Sequence, residues 1–229
     1  LGAFIKHSGV DAFYCQSQDS ADYDDFVGRI AKADQRARPC HFVAPGSAKG
    51  FAPAPVLRIA DPAVAPLAWR RRTLGQRRYS IVGEITDLGA GATHRALGEL
   101  LVAPLQPWDA LIFPSKTVKA AAERLLEQHA AYLAYRFGGN PKPDGLHFVI
   151  PPGIETSKYA DTADSRVMRS GVRRRLGIRD DDLCVLSTGN FAFHERAHPT
   201  PLYLALEAAA RRTGVRIHLL QAGWFQTER

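Results

Sequence analysis

The sequence predicts an α/β protein built on parallel sheets. Short apolar runs rich in β-branched and aromatic residues alternate along the chain with longer amphipathic ones. The short runs are almost continuously hydrophobic, as strands covered on both faces must be. Proline and glycine fall where helices start and stop.

Strands are expected at 11–15, 41–43, 56–59, 79–82, 110–113, 147–150, 183–187 and 216–221. Helices are expected at 23–32, 93–101, 116–136, 165–176 and 201–213. The helix at 116–136 has the strongest period: Val118, Ala122, Leu125, Leu126, Ala130 and Leu133 repeat at helical spacing, and Ser115 stands as N-cap. Pro201 suits a first helical turn, Gly214 a C-terminal cap, and Thr93 the cap of the helix at 93–101. Strand–helix–strand repetition implies right-handed crossovers. The segment Phe137–Asp144 is a Gly/Pro loop, and Pro151-Pro152-Gly153 stops regular structure. A second α/β domain is therefore expected from about residue 152.

Composition narrows the class. The chain has 229 residues, of which 45% are hydrophobic and 23% charged, which excludes a disordered or collagenous chain. Cys15, Cys40 and Cys184 are too few for a disulfide framework and are expected as free thiols, which implies a reducing, cytoplasmic setting. No apolar run approaches the roughly 18 residues of a membrane span. Thirty Lys and Arg against 23 Asp and Glu give a net charge of +7. Much of the excess lies in two clusters, Arg70, Arg71, Arg72, Arg77, Arg78 and Arg169, Arg173, Arg174, Arg175. No nucleic-acid-binding motif accompanies them, so they are expected as solvated surface. Trp69, Trp108 and Trp224 are expected to pack beside strands.

Ligands of open α/β sheets bind outside the carboxyl ends of the strands. After the strand at 183–187 come Gly189, which lets backbone approach a ligand, and Asn190 and Arg196, which could reach a phosphate. Backbone N–H groups opening a helix at Pro199 or Thr200 add positive potential beside them. After the strand at 79–82, Gly83, Gly89 and Gly91 predict a mobile loop. There Glu84 or Asp87 could receive sugar hydroxyls or act as a base, while Asp87 equally suits an Asx turn. No dinucleotide fingerprint, Walker loop or nucleophile elbow is present. His194 and His198 lack a third ligand at metal spacing, and the remaining histidines are expected to be structural.

Several segments together resemble the retaining GT-B glycosyltransferases of the group 1 type. They are Trp108–Ser115, Val149–Glu155, Arg173–Ile178 (RRRLGI), Leu186–Pro199 and His218–Phe225 (HLLQAGWF), in an order that spans residues 79–229. The resemblance implies two Rossmann-like domains of GT-B type with parallel sheets, both incomplete in this chain. Residues 1–151 would be the acceptor-side domain without its first strand, and 152–229 the start of the domain that binds a nucleotide-sugar. In the family the donor loop opens Gly-Arg and carries a Lys six residues after that Arg. Here Gly189 matches, Asn190 stands for the Arg, and Arg196 takes the Lys position as donor-binding cation. The family's acceptor-side His is absent, with Thr86 and Asp87 standing near its place.

The activity so implied is transfer of a sugar from a nucleotide-sugar donor to a glycan, lipid or small-molecule acceptor, with retention. Neither cofactor nor metal is implied, nor is nucleic acid a partner, while peripheral membrane association is compatible. The family's glycine-rich loop is expected before Leu1 and its acidic motif beyond Arg229, so the segment alone is expected to be inactive. The alternatives are a non-catalytic sugar- or nucleotide-binding module and a sugar-nucleotide epimerase of related fold.

Overall fold

The computed structural model describes residues 2–34, 36–45, 47, 54–142, 144–190 and 198–224, apart from the side chains of Asn190 and Trp224. Residues 191–197, which include Arg196, lie outside the described residues. The chain divides into two compact units, Leu1–Gly153 and Ile154–Arg229.

In the first unit, α1 (Gly2–His7), β1 (Phe13–Gln16), α2 (Ser20–Ala33) and β2 (Cys40–Val43) precede three strand–helix repeats and a last strand. These are β3 (Val56–Arg58), α3 (Ala65–Leu74), β4 (Ser80–Glu84), α4 (Gly91–Leu100), β5 (Ala110–Phe113), α5 (Lys116–Phe137) and β6 (Leu146–Val149). β1 pairs with β2, and β3-β4-β5-β6 form a sheet in sequential order; every pairing is parallel. Sequential right-handed crossovers place α3, α4 and α5 on one face of that sheet. Burial follows: Ile81, Leu111 and Phe113 on the helix side are buried, whereas Val56, Leu146 and Phe148 on the other side stay exposed. The core joins Ile81, Leu111 and Phe113 to Leu97 and Leu100 of α4, Ala122 and Leu126 of α5, and Val64 and Ala68 beside and within α3.

At the amino ends of these strands a charged pair is buried in the core. Arg71 of α3 is 0% exposed and donates to both carboxylate oxygens of Asp109, at 2.5 and 2.6 Å. The same carboxylate accepts the backbone N–H groups of Ile81 and Gln106, each at 2.8 Å. Arg71 also donates to the Tyr79 carbonyl at 3.0 Å. The Asp109 carbonyl accepts from Leu146 N–H at 2.7 Å, which ties β6 to the same point.

Four sequence expectations are corrected. Arg71 and Arg173 are buried, so neither arginine cluster is wholly solvated surface. Gly83 lies inside β4, where a Cβ would stand 2.6 Å from Val64 Cγ1 and 3.0 Å from the Asp61 carbonyl, so this glycine serves close packing and not a loop. α4 starts at Gly91 with Ala90 as N-cap, which puts Thr93 inside the helix and buried. Trp69 belongs to α3 and is 48% exposed with the Arg72 guanidinium over its ring, and Trp108 is also exposed.

A smaller polar centre fixes the start of the chain. Arg38 donates to both oxygens of Asp34, at 3.1 Å each. It also donates to the carbonyls of Ser8 and Val10, at 3.1 and 2.9 Å, and to that of Ile5. The last carbonyls of α1 and the turn after it are thereby satisfied.

The second unit holds a 3-10 turn at Thr156–Tyr159, α6 (Ala163–Arg175), β7 (Leu183–Asn190), α7 (Thr200–Thr213) and β8 (Ile217–Trp224). β7 and β8 pair in parallel. A capping box closes the start of α6: the Thr162 side chain accepts from Ser165 N–H and the Ser165 side chain from Thr162 N–H. Few of its described side chains are fully buried, Ile178, Arg173 and Asp182. Arg173 donates to the carbonyls of Asp182, at 2.8 Å, and Arg179. The Asp182 carboxylate receives Arg179 N–H at 3.1 Å and its guanidinium, and pairs with His218 of β8 at 3.0 Å.

Removing one partner of a buried ion pair strands the other, at a cost of about 3–5 kcal/mol. Asp109→Ala should destabilise the first unit by about that much, with urea midpoint shifts as the readout. Arg71→Met should cost less than Asp109→Ala, because the carboxylate keeps two backbone donors.

Acid should act on both units. Asp34 is held below the usual carboxylate range by the side chain and backbone N–H of Arg38. For Asp182, burial pushes the pKa up, but hydrogen bonds from the Arg179 backbone, the Arg179 side chain and His218 outweigh it and hold the carboxyl low. A carboxyl more acidic in the folded than the unfolded chain stabilises above the unfolded value of about 3.9, and that gain is lost as pH falls toward the folded value. Melting temperature should therefore drop as pH falls below about 4, and Asp34→Asn and Asp182→Asn should each flatten that limb.

Candidate functional site

The carboxyl edge of β7 and β8 is the candidate ligand edge of the second unit. In the parallel register Ser187 lies beside Gln221, Thr188 beside Ala222, Gly189 beside Gly223, and Asn190 beside Trp224. Two glycines thus stand side by side near the strand ends, neither adding a side chain of its own. Gly189 has φ +138°, a conformation L side chains rarely adopt, and a Cβ there would meet nothing within 4 Å. The backbone conformation, not crowding, calls for glycine.

α7 begins at this edge. Its N-cap, Pro199, provides no side-chain hydrogen bond, and Pro201 lies in the first turn. Thr200 N–H donates to Nδ1 of His198 at 3.3 Å. The Tyr203 hydroxyl donates to Oε1 of Gln221 at 3.0 Å and fixes the first turn of α7 against β8. Pro201 has no N–H and the Tyr203 N–H donates to the Pro199 carbonyl at 3.1 Å, so what this start offers an anion is the helix dipole, roughly half a positive charge. Beside two glycine-lined strand ends, such a start suits an anion approached through the backbone.

The predicted acceptor-side residues lie in the first unit, at the carboxyl end of β4. Ile85 N–H donates to Ile112 O at 2.9 Å, which extends the sheet contact by one residue. Thr86 is then exposed. Asp87 Oδ1 accepts from Gly89 N–H at 2.8 Å, the Asx turn that its position suggested. Glu84 is committed to an ion pair with Arg58 of the neighbouring β3. His94 Nε2 lies 2.7 Å from the Leu88 carbonyl and closes the loop over 88–94. Arg58 and His94 are partners that spacing alone could not reveal, because one depends on strand register and the other on how a loop folds back.

The structure therefore groups Gly189 and the Asn190 backbone with Gly223 and the α7 start, and groups Thr86 and Asp87 with Glu84, Arg58 and His94. Each group belongs to its own unit. Among the described residues, no cluster of three His, Cys, Asp or Glu could hold a metal ion. No helix among them is long and apolar enough to cross a membrane. A groove of about 520 Å³ lies beside α5, with Leu126, Ala130 and Ala134 as its apolar lining and Glu123, Glu127, Lys142 and His147 among its polar residues. None of its lining residues belongs to either strand-end group. The thiols of Cys15 and Cys40 are free and pushed up chiefly by burial, which makes them poor nucleophiles.

Forcing an L side chain into the Gly189 conformation should cost about 1–3 kcal/mol. Gly189→Ala should lower the urea midpoint of the second unit accordingly, and more than Gly223→Ala, at the exposed position paired with it. Equal effects would show that strand pairing and not the Gly189 backbone sets the cost.

No protein-family profile, curated protein or solved structure matches this chain, so its functional reading rests on its own residues and register.

Proposed function

We propose that the chain is part of a glycosyltransferase that moves a sugar from a nucleotide-sugar donor to an acceptor with retention. The observation that carries the reading is the pair Gly189 and Gly223, side by side at strand carboxyl ends on the strands that α7 joins. A nucleoside diphosphate would place its phosphates against this glycine edge, within the positive end of the α7 dipole. Arg196, between Gly189 and α7 in the sequence, would supply the charge-assisted hydrogen bond that Asn190 cannot. The bond that breaks joins the anomeric carbon to the donor diphosphate; the acceptor oxygen replaces it, and the leaving diphosphate takes the acceptor proton. Stabilising that departing charge is the main task of the donor edge. Thr86 and Asp87 would serve the acceptor side, Thr86 as a hydroxyl open to solvent and Asp87 by shaping the loop.

Asn190, uncharged where a cation is expected, supports the second reading, a binding module without turnover. A sugar-nucleotide epimerase would differ from both by isomerising donor in the absence of acceptor.

Calorimetric titration of the full chain with UDP, GDP and ADP tests the donor edge. A charge-assisted hydrogen bond contributes about 1.5–3 kcal/mol, so Arg196→Ala should weaken the preferred nucleotide by roughly ten- to a hundred-fold. Arg196→Lys should keep most of the affinity, and Asn190→Arg should raise it. Unchanged binding by Arg196→Ala would remove the donor loop from the reading. Binding without sugar transfer to any acceptor would favour the module.

A further inference from the structure

The edge of the first unit opposite the strand carboxyl ends carries a second kind of surface. Where strands run parallel, helix ends and strand starts share one edge. Three neighbouring turns meet there. One carries the exposed Arg77 and Arg78 between α3 and β4, and the next carries Trp108 before β5. The third is formed by the end of α5 and the loop to β6, with Tyr135, Arg136, Phe137 and Lys142. The turns are fastened to one another through Asp109, which binds Ile81 N–H on one side and Leu146 N–H on the other. Gly145 sits so close to the Asp109 carbonyl that a Cβ would stand 3.0 Å from it.

Tyr135 is 86% exposed and Phe137 77%, with the Arg136 guanidinium over the Phe137 ring at 5.9 Å. Large aromatics so open to water at the tip of a 22-residue helix do nothing for the core beneath. The exposed basic groups Arg77, Arg78, Arg136 and Lys142 meet the exposed acids Glu99 and Asp144 of the same turns and Glu127, which shares the groove of Lys142, so the edge keeps a small net positive charge.

We propose that this edge seats the chain on an anionic lipid surface. Trp and Tyr settle at headgroup depth, where an apolar ring and a polar tip are both accommodated. Basic side chains near an anionic leaflet add about 1 kcal/mol each. The charge and the aromatics lie on separate short turns, and the groove beside α5 carries Glu123 and Glu127, which suits a plane of headgroups better than a nucleic-acid strand needing a basic track and a stacking platform. Seated this way, the carboxyl edge of β3 to β6 points away from the membrane. The inference is independent of the glycosyltransferase reading.

Flotation of the full chain with phosphatidylcholine vesicles, with and without phosphatidylglycerol, tests it. The chain should float with the anionic vesicles, less well in high salt, and remain unbound with the neutral ones. Arg77→Ala with Arg78→Ala should lower partitioning by about thirty-fold, two basic groups at about 1 kcal/mol each. Tyr135→Ser with Phe137→Ser should lower it without changing the salt dependence. Both double variants replace exposed side chains and should melt with the parent; if the aromatic one misfolds, the arginine variant and the neutral vesicles still decide. Equal partitioning to both vesicle types, parent-like binding by the arginine variant, or displacement of the vesicles by single-stranded RNA would overturn the proposal.

Discussion

The first unit depends on one buried carboxylate. Asp109 receives two guanidinium nitrogens and two backbone amides, from α3, from β4 and from its own turn, while its carbonyl holds the start of β6. Four donors on two oxygens approach the full capacity of the group, which makes burying its charge tolerable. A buried pair of this kind is a weak source of stability compared with apolar packing. Its consequence is positional: three strand starts and one helix end share a single point, so the register of the sheet is set at its amino edge. That leaves the opposite edge, where Thr86 and Asp87 lie, free to carry loops whose shape is settled locally.

The two units solve the problem of cohesion differently. The first buries a continuous apolar layer between its sheet and α3 to α5. The second has two strands among its described residues, and many large apolar side chains, Leu186 and Met168 among them, remain exposed. There, cohesion comes instead from Arg173 clamping two carbonyls and from Asp182 linking the turn after α6 to β8. A two-stranded parallel ribbon is marginal without covering layers, so local fastening matters more in this unit than in the first.

The alternation of strands and helices was legible because it is written in period and in proline and glycine placement, both local properties. α3 was not, because its sequence, APLAWRRRTL, offers a thin apolar stripe and three consecutive arginines; Pro66 at its start and Gly75 after its end were the available signals. Nothing local distinguishes Arg71, wholly buried, from the exposed Arg72 beside it, since burial is decided by an aspartate 38 residues away. Gly83 read as a loop glycine because its role depends on Asp61 and Val64 crossing over the strand. At the candidate site, Gly189 was legible from its place at a strand end, whereas its partner Gly223 needed the register. Glu84 looked available until β3 brought Arg58 to it.

The chain uses arginine far more than lysine, 23 against seven, and the structure separates positions where the two are interchangeable from those where they are not. An exposed guanidinium such as Arg77 offers a charge that an ammonium could replace over evolutionary drift. Arg71 and Arg38 use the planar fork itself: one grips both oxygens of Asp109 and a carbonyl, the other both oxygens of Asp34 and three carbonyls. An ammonium reaches one or two of those acceptors and orphans the rest. Lineages descended from this sequence should therefore exchange arginine for lysine freely along the outer helix faces while holding arginine at 38, 71 and 173.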